Sequence, residues 1–354
     1  MPSTTIAVTG LNATDNPGPG VPVIRSLRAG AGSECLIVGL AYDPLDPGAY
    51  MDDIADSVFL MPYPSQGVEV TLDRLAYVHS RQPIDVLMPT LDAELPIYLK
   101  MLPQLDKMGI KTFLPPEEQL KLRSKAKFHE LKNDLGINVP KSVALSDALP
   151  IRKLDEEFKF PVMVKGQFYD AYIAYSPMEV ESHFYRIRAK WGAPVVVQEF
   201  ISGEEFDVTA VGDGKGGLIG AVPMRKMQLT DKGKAWGGIT ISDRALNDFI
   251  VDVMSKLKWR GPCELEVMKS RDNGQLYLLE INPRFPAWVY LTVGAERNLP
   301  WAAARMALGE RVEPMAPAKP GVMFLRHSMD QICALAEYEA LTTGGELIRN
   351  GGPK

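Results

Sequence analysis

The stretch GPCELEVMKSRDNGQLYLLEINPRFPAW, residues 261–288, consists of two runs typical of β-strands joined by a turn. The sequence RDNG at residues 271–274 is a strong turn signal, so the runs are predicted to pair as an antiparallel hairpin. Folding about Asn273 places Glu266 opposite Glu280, or one residue off. Opposed side chains have Cβ atoms about 4.5–5.5 Å apart, so two half-buried carboxylates there repel each other. Either one is protonated or a cation lies between them.

The face that carries these acids is predicted to hold further polar groups. Leu278, Glu280 and Asn282 alternate onto one side of the second strand, and Asn282 adds a neutral oxygen to the two anionic ones. Hard oxygen ligands suit Mg²⁺ (or Mn²⁺), which binds substrate phosphates. Arg284 continues the alternation and could stabilise charge on a transferred phosphoryl group. The alternatives are a solvated sheet face for the acids and a salt bridge for Arg284.

The bulk composition excludes several classes of protein. The chain has 354 residues, 46% hydrophobic and 23% charged, which is too long for one compact core and predicts two or three domains. A net charge of −5 argues against a nucleic-acid-binding protein. No apolar run approaches the ~20 residues of a membrane span, and the start resembles no leader peptide. A cytoplasmic protein with buried, reduced thiols is expected; the cysteines are Cys35, Cys263 and Cys333.

Strand-like and helix-like segments alternate along the first 120 residues, which predicts a parallel sheet with helices on both faces. The sequence GLNATDNPGPG lacks the GxGxxG pattern, which argues against a nicotinamide dinucleotide there. The predicted strands are TTIAVTGL, CLIVGLAYD, PIDVLMPT and IKTFLPP, and the predicted helices are GVPVIRSLRAG and LPIYLKMLPQLDKMG.

A second unit follows. The sequence PPEEQLKLRSKAKFHELKNDLG predicts one amphipathic helix ending at Gly136. Further strands are predicted at FPVMVKG and PVVVQEFISGEEFDVTAVGD, with a helix at PMEVESHFYRIRAKWG between them. The end of the chain predicts one strand, one helix and a mobile Gly-rich tail.

At this point the residues resemble a known family. The pattern ELEVM…YLLEINPRF resembles the metal-binding hairpin of ATP-grasp enzymes, in which E-x-N-x-R follows an acid on the preceding strand. The segments SKAKFHELKNDLGINVPKS, FPVMVKG and VVVQEFISGEEFDV resemble other parts of that fold, in the expected order. The segment DVLMPTLDAELPIYL resembles the domain that precedes it in carbamoyl-phosphate-synthase-like ligases. The resemblance covers about residues 4–310.

The resemblance implies a fold of α/β and α+β class. A Rossmann-like pre-ATP-grasp domain is expected at residues 1–120, and an ATP-grasp domain at residues 121–310, with a mobile lid subdomain at about 140–200. Residues 311–354 are expected to form the C-terminal strand, helix and flexible tail. The lid loop GQFYDAYIAYS departs from many relatives, because it has one glycine and three tyrosines.

The resemblance also implies site residues. A further cation is expected from Arg225, Lys226 or Lys234, with Lys226 as the catalytic candidate beside Arg284, which would face the γ-phosphate of ATP. The implied metal ligands are Glu266, Glu280 and Asn282. The implied ATP contacts are Lys127 and Lys165 for phosphates, Glu199 and Ile201 for adenine, Phe200 in the linker, Glu205 for ribose and Met268 under the purine.

The function implied is that of an ADP-forming ligase that joins a carboxylate to an amine, with an amino acid or peptide as substrate and a homodimer as one option. Asp92 and Glu94 could receive the amine, and Trp288 could wall an acyl pocket. The alternatives are helix N-terminal acids and a core aromatic. Bicarbonate activation of the biotin-carboxylase type, phosphate transfer without ligation, and a nucleotide-binding module without activity also stay open.

Overall fold

The computed structural model describes residues 4–32, 35–167, 170–229 and 235–349, which form three β-sheets. The first sheet has four parallel strands in the order β3-β2-β1-β4. Its strands are short runs of Ile, Val, Leu and Ala that are buried on both faces, as a parallel sheet requires. The elements are β1 (Thr4–Thr9), α1 (Gly20–Ala31), β2 (Cys35–Ala41), β3 (Ser57–Leu60), α2 (Val68–Arg81), β4 (Val86–Met88) and α3 (Leu95–Lys107).

Helix α1 packs on one face of this sheet, and helices α2 and α3 pack on the other. The predicted parallel sheet is therefore present, although two of its details are wrong. The segment IKTFLPP makes only a single bridge, from Lys111 to Val86. Strand β3 was missed because its four residues give too short a pattern to recognise, and helix α2 was also missed.

The segment between the first and second sheets is not one continuous helix. Two short helices, α4 (Glu117–Leu122) and α5 (Glu130–Leu135), replace the single predicted helix. Gly136 ends α5 in the left-handed conformation, at φ +62°, as the sequence predicts. Residues 123–129 form turns, and this change in direction decides which lysine of the segment reaches the site described below.

The second sheet is antiparallel, in the order β5-β8-β6-β7, and lies at the place of the predicted lid. It has its own apolar core, in which Val162 and Val164 pack against Phe184 and Ile187. The elements are β5 (Ser142–Leu145), α6 (Leu154–Glu157), β6 (Val162–Lys165), β7 (Ala171–Ala174), α7 (Pro177–Trp191) and β8 (Val195–Glu199).

The third sheet has six antiparallel strands in the order β13-β12-β9-β10-β11-β14. Helix α8 packs on one face around the fully buried Trp259, so the opposite face of the central strands is left for polar side chains. The elements are β9 (Gly203–Asp213), β10 (Leu218–Leu229), β11 (Ala235–Thr240), α8 (Arg244–Leu257), β12 (Arg260–Ser270), β13 (Leu276–Asn282), α9 (Leu291–Gly294), α10 (Leu299–Ala307) and β14 (Met323–Leu325).

The C-terminal segment returns to the first sheet. After α11 (Leu335–Glu339), strand β15 (Glu346–Ile348) pairs antiparallel with β3. The Arg349 guanidinium then donates to the carbonyls of Ala49, Met51 and Ala55 at 2.7–3.1 Å. The prediction of a mobile tail is therefore wrong as far as Arg349, and residues 350–354 lie outside the described part of the chain.

Two of the three cysteines are buried as expected. Cys35 and Cys263 are almost completely enclosed, and burial raises the pKa of both thiols, that of Cys35 to about 11. Cys333 is exposed, which corrects the expectation for that thiol. Within the described residues, no helix is long and apolar enough to cross a bilayer.

Candidate active site

The hairpin formed by β12 and β13 has the predicted register. Glu266 lies directly opposite Glu280, and Glu264 lies opposite Asn282. The physical problem posed by the sequence is therefore present in the structure: two acids face each other across a strand pair.

A β-bulge follows these pairs and changes the faces of the hairpin. The register shifts by one residue between Glu266 and Val267, so that Val267 lies opposite Leu278. Both of these side chains are fully buried in the core on the α8 side of the sheet. The prediction that Leu278 shares a face with Glu280 is wrong, because the bulge adds one residue to β13.

Strand β9 adds a third carboxylate to the row. It pairs with β12 so that Asp207 lies opposite Glu266, and Asp207 is only 3% exposed. Asp207, Glu266 and Glu280 therefore occupy one row across three neighbouring strands. Burial, and then the charge of Glu280, raise the pKa of Glu266 to about 7. Sequence reasoning missed Asp207, although it follows Glu205 by two residues and so shares its face.

Three lysines surround this row. Lys125 Nζ lies 3.3 Å from a Glu280 carboxylate oxygen. Lys226 Nζ lies 2.5 Å from Glu205 and 3.1 Å from Asp207. Burial acts to lower the pKa of Lys226, but Asp207 and Glu266 raise it overall, so the ammonium stays charged.

Lys165 reaches the same region from the second sheet, at the end of β6. Burial lowers the pKa of Lys165, and the charge of Glu280 opposes that shift while Lys125 adds to it. The acids of the third sheet and the lysine of the second sheet therefore belong to one electrostatic cluster.

Of the two lysines at positions 125 and 127, the one that contacts the acid pair is Lys125, whereas the prediction named Lys127. Lys127 is exposed, whereas Lys125, two residues earlier, contacts Glu280. A continuous helix would leave the choice between two such lysines open. The turn at residues 123–129 settles it by directing Lys125 toward the hairpin.

Arg284 is enclosed by carboxylates rather than free. Its Nη1 donates to Glu264 at 2.7 Å and its Nε to Asp92 at 3.0 Å. Trp288 Nε1 donates to the other Glu264 oxygen at 2.9 Å, and Asn282 Nδ2 donates at 3.3 Å to the oxygen that Arg284 holds. Burial acts to lower the pKa of Arg284, but Glu264 and Asp92 raise it overall, so it is a permanent cation.

The predicted substrate contacts have other partners. Asp92 is paired with Arg123 at 2.9 Å as well as with Arg284. Trp288 is 6% exposed and packs in a small apolar cluster, so it is a core aromatic that anchors Glu264. Burial of Trp288 corrects the expectation that it lines an open acyl pocket. Asp92 keeps a partly exposed carboxylate that two guanidinium groups already hold, and its role toward a substrate amine stays a prediction.

Glu94 is a buried structural acid. It is 1% exposed, and its carboxylate accepts bonds from Thr9 Oγ1 at 2.5 Å, from the backbone N–H groups of Thr90 and Leu91, and from the Tyr42 hydroxyl. Burial raises its pKa. The expectation that Glu94 receives a substrate amine is therefore wrong, since both its oxygens are used inside the first sheet.

The residues expected to contact the nucleoside lie along one strip of the chain. Glu199 ends β8, where its N–H donates to Lys141 O at 2.8 Å, and Phe200 and Ile201 lead into β9. Glu205 lies opposite Met268. Of the other expected groups, Lys234 and the lid-loop residues Phe168 and Tyr169 lie outside the described residues.

The donor set fits a metal only together with further oxygen ligands. Among the described residues, no three His, Cys, Asp or Glu side chains are gathered to hold an ion. Glu266 and Glu280 offer two carboxylates, and the Asn282 amide nitrogen is turned toward Glu264 and Glu266. Such a set suits a hard cation that arrives with phosphate oxygens.

Comparison with known proteins agrees with this geometry. Residues 192–327 match a family model described as ATP-grasp in the biosynthetic pathway with Ter operon. The C-terminal section of the carbamoyl phosphate synthase large chain of Aquifex aeolicus is 27% identical over 233 residues, which is 62% of this chain and 43% of that protein. The chain thus spans less than half the length of this relative.

Two solved structures share the fold. The biotin carboxylase domain of Hydrogenobacter thermophilus 2-oxoglutarate carboxylase, a dimer solved with MgADP, ADP and bicarbonate, has a TM-score of 0.67 at 15% identity, covering 87% of this chain and 70% of that one. An L-amino acid ligase from Bacillus licheniformis has a TM-score of 0.64 at 15% identity, covering 87% and 75%.

The resemblance to ATP-grasp enzymes seen in the sequence is confirmed, because an ATP-grasp family model matches residues 192–327 and carbamoyl phosphate synthase large chains are among the homologues of this chain.

Proposed function

We propose that this protein is an ATP-dependent, ADP-forming ligase that activates a carboxylate as an acyl phosphate and joins it to an amine. The observation that carries the proposal is the opposed pair Glu266 and Glu280, with three lysines around it. Acids and cations gathered at one sheet face suit a magnesium nucleotide, which brings both positive and negative charge.

The nucleotide is proposed to lie between the second and third sheets. Adenine would contact the backbone and side chains of Glu199, Phe200 and Ile201, with Met268 beneath it. Glu205 would bind the ribose, which requires Lys226 to release the carboxylate that it now holds at 2.5 Å. Lys226 remains paired with Asp207 in that event, so its charge stays compensated.

The phosphates are proposed to be bound by Lys125 and Lys165, with Lys125 in the role expected for Lys127. Lys125 and Lys165 are already held at the acid pair, so little ordering entropy remains to be lost. Glu266, Glu280 and Asn282 would hold Mg²⁺ or Mn²⁺. When bound, the ion would supply charge neutralisation at the phosphates.

The chemistry is two displacements. A substrate carboxylate oxygen attacks the γ-phosphorus of ATP, and the bond to the β–γ bridging oxygen breaks, which gives an acyl phosphate and ADP. The amine nitrogen then attacks the acyl carbon, loses a proton, and expels phosphate. The protein positions the groups and neutralises charge. Arg284 is bonded to Glu264 and Asp92 at the end of the hairpin, and would act on phosphate charge by fixing the position of the strand that carries the metal ligands.

The substrates are proposed to be small molecules, with an amino acid or short peptide as either partner. The L-amino acid ligase of the same fold supports this class. The first sheet is proposed to be a pre-ATP-grasp domain and the second a lid, which would close to keep water from the acyl phosphate.

The proposal is tested by measuring ADP release while carboxylic acids and amines are offered singly and in pairs. Turnover that needs one of each supports ligation, and mass spectrometry should detect an amide. Turnover with bicarbonate alone contradicts ligation and favours the carboxylase alternative. Glu280→Gln is expected to abolish turnover while the protein stays folded by circular dichroism. Lys127→Ala, on the exposed lysine, is the matched control that should retain turnover.

A further inference from the structure

Asp92 and Arg123 form a partly exposed ion pair beside the candidate site. Arg123 Nη1 donates to Asp92 Oδ1 at 2.9 Å, and the side chains of Arg123 and Asp92 are 30% and 35% exposed. The other Asp92 oxygen accepts from Arg284 at 3.0 Å. The pair therefore joins the turn after β4 to the turn that carries Lys125, and it is open to solvent where these segments meet.

Both side chains keep capacity for further hydrogen bonds. In the described part of the chain, Nη2 and Nε of Arg123 donate to no protein acceptor. Each carboxylate oxygen of Asp92 accepts one bond from an arginine, although a carboxylate oxygen has two lone pairs. A ligand anion can therefore bind to Arg123, and a ligand cation to Asp92, without breaking the ion pair.

The pair lies close to the acids that are proposed to hold the metal. Arg284, which bonds Asp92, also donates to Glu264 at 2.7 Å. Glu264 precedes Glu266 by two residues on β12, so their side chains share one face and are about 7 Å apart along the strand. A substrate bound at the ion pair would thus lie one short step along the sheet from the proposed metal and phosphates.

We propose, on the basis of the ligase activity proposed above, that Asp92 and Arg123 together bind the amine substrate and that this substrate is an α-amino acid. Its ammonium would donate to Asp92. Its carboxylate would accept from Nη2 and Nε of Arg123, since a guanidinium can bind a carboxylate through two parallel bonds. Because the two protein charges are in direct contact, the ligand must carry its own charges close together. An α-amino acid has one carbon between them, whereas each further residue of a peptide adds about 3.5 Å.

The ion pair disfavours ligands that carry only one of these charges. A phosphate, or a carboxylate without an amine, would bring negative charge next to Asp92, and like charges at that separation repel each other. An amine without a carboxylate would leave the free donors of Arg123 without an acceptor. Both charges of the amino acid are therefore needed.

Binding is the first test, because it does not require turnover. Isothermal titration calorimetry of the whole chain with each common L-amino acid, with and without MgADP, should identify one that binds. The α-amide of that amino acid lacks the carboxylate, and its N-acetyl derivative lacks the ammonium. Each derivative should bind at least about ten-fold more weakly. No binding of any amino acid, or equal binding of the α-amide, overturns the proposal.

Arg123→Gln separates ligand binding from a structural role. It should weaken binding of the amino acid about 30-fold, the loss typical of one charge-assisted hydrogen bond, and that of the α-amide less than about two-fold. A merely structural role, acting through the turn that carries Lys125, would weaken both ligands equally, and that result overturns the proposal. Arg305→Gln is the matched control, because Arg305 is 38% exposed and pairs with Glu310 at 2.6 Å. It should leave both affinities unchanged.

ADP release then separates this proposal from that of ligation. Amino acid binding that Arg123→Gln weakens, together with no turnover for any pair of carboxylate and amine, supports the subsite and contradicts ligation. Ligation that proceeds with the α-amide and the amino acid at the same kcat/KM supports ligation, and shows that the proposed subsite is wrong.

Discussion

The Nε of Arg284 lies 3.0 Å from a carboxylate oxygen of Asp92, across 192 residues of sequence. This ion pair connects the turn after β4 in the first sheet to the end of the β12–β13 hairpin in the third. Asp92 also pairs with Arg123, which begins the turn that carries Lys125. One carboxylate therefore links three segments of the candidate site, and its main effect is to position Arg284 and Lys125.

Asp92→Asn should weaken both ion pairs and lower the free energy of unfolding by about 1 kcal/mol, since Asp92 is one-third exposed. Turnover should fall by more than the loss of folded protein explains, because Asp92 no longer holds both the end of the hairpin and the turn that carries Lys125. Asp106→Asn is the matched control. It removes an exposed pair with Lys111 that is even shorter, at 2.6 Å, yet should change neither quantity. Equal losses in urea unfolding for both variants would contradict this account.

The two neighbouring lysines allow a matched comparison. Lys125→Met should raise the KM for ATP or lower kcat by about 100-fold, the loss typical of one preorganised charge contact. Lys127→Met should leave both within a factor of two, because that side chain is exposed. Steady-state ADP release measures both. If Lys127→Met has the larger effect, the assignment drawn from the turn at residues 123–129 is wrong.

Replacing Glu266 and Glu264 by glutamine should change the free energy of unfolding in opposite directions. The fold disfavours the Glu266 carboxylate, whose pKa is raised to about 7, so Glu266→Gln should stabilise the metal-free protein at pH 8 by about 2 kcal/mol and abolish turnover. Glu264 bonds Arg284 and Trp288, so Glu264→Gln should destabilise it by about 3 kcal/mol. Urea unfolding in EDTA measures both, and a shift of the same sign in the two variants would refute the distinction.

The hairpin could be predicted from sequence because its determinants are local. Period-two alternation and the turn at residues 271–274 place Glu266 within one residue of Glu280, and the bulge after Glu266 brings the two acids directly opposite each other. The bulge after Glu266 could not be predicted, since one extra residue leaves no pattern of its own. The same limit hid β3, which is four residues long.

The partners of the site residues required the tertiary structure. From sequence, Asp92 was predicted to be an unpaired acid near the start of a helix. Only the tertiary structure shows that Arg123 and Arg284 pair with it. The sequence predicted the same role for Glu94, yet its carboxylate is bonded to Thr9 and Tyr42. In both cases the side chain's role is decided by contacts with residues that lie dozens of positions away, where periodicity carries no information.

Asp46 should make the stability of the protein depend on pH. It is 8% exposed, and burial raises its pKa from 3.8 to about 6. The folded state therefore keeps this proton at pH values where the unfolded chain has released it, so its contribution is present below about pH 4 and is lost as pH rises to about 6. The loss should be about 2 kcal/mol, and Asp46→Asn should remove this part of the slope. Asp53→Asn, at a carboxylate that is 64% exposed, should keep it. Urea unfolding between about pH 4 and 7 measures the slopes, and a wild-type slope retained in Asp46→Asn would show that another group is responsible.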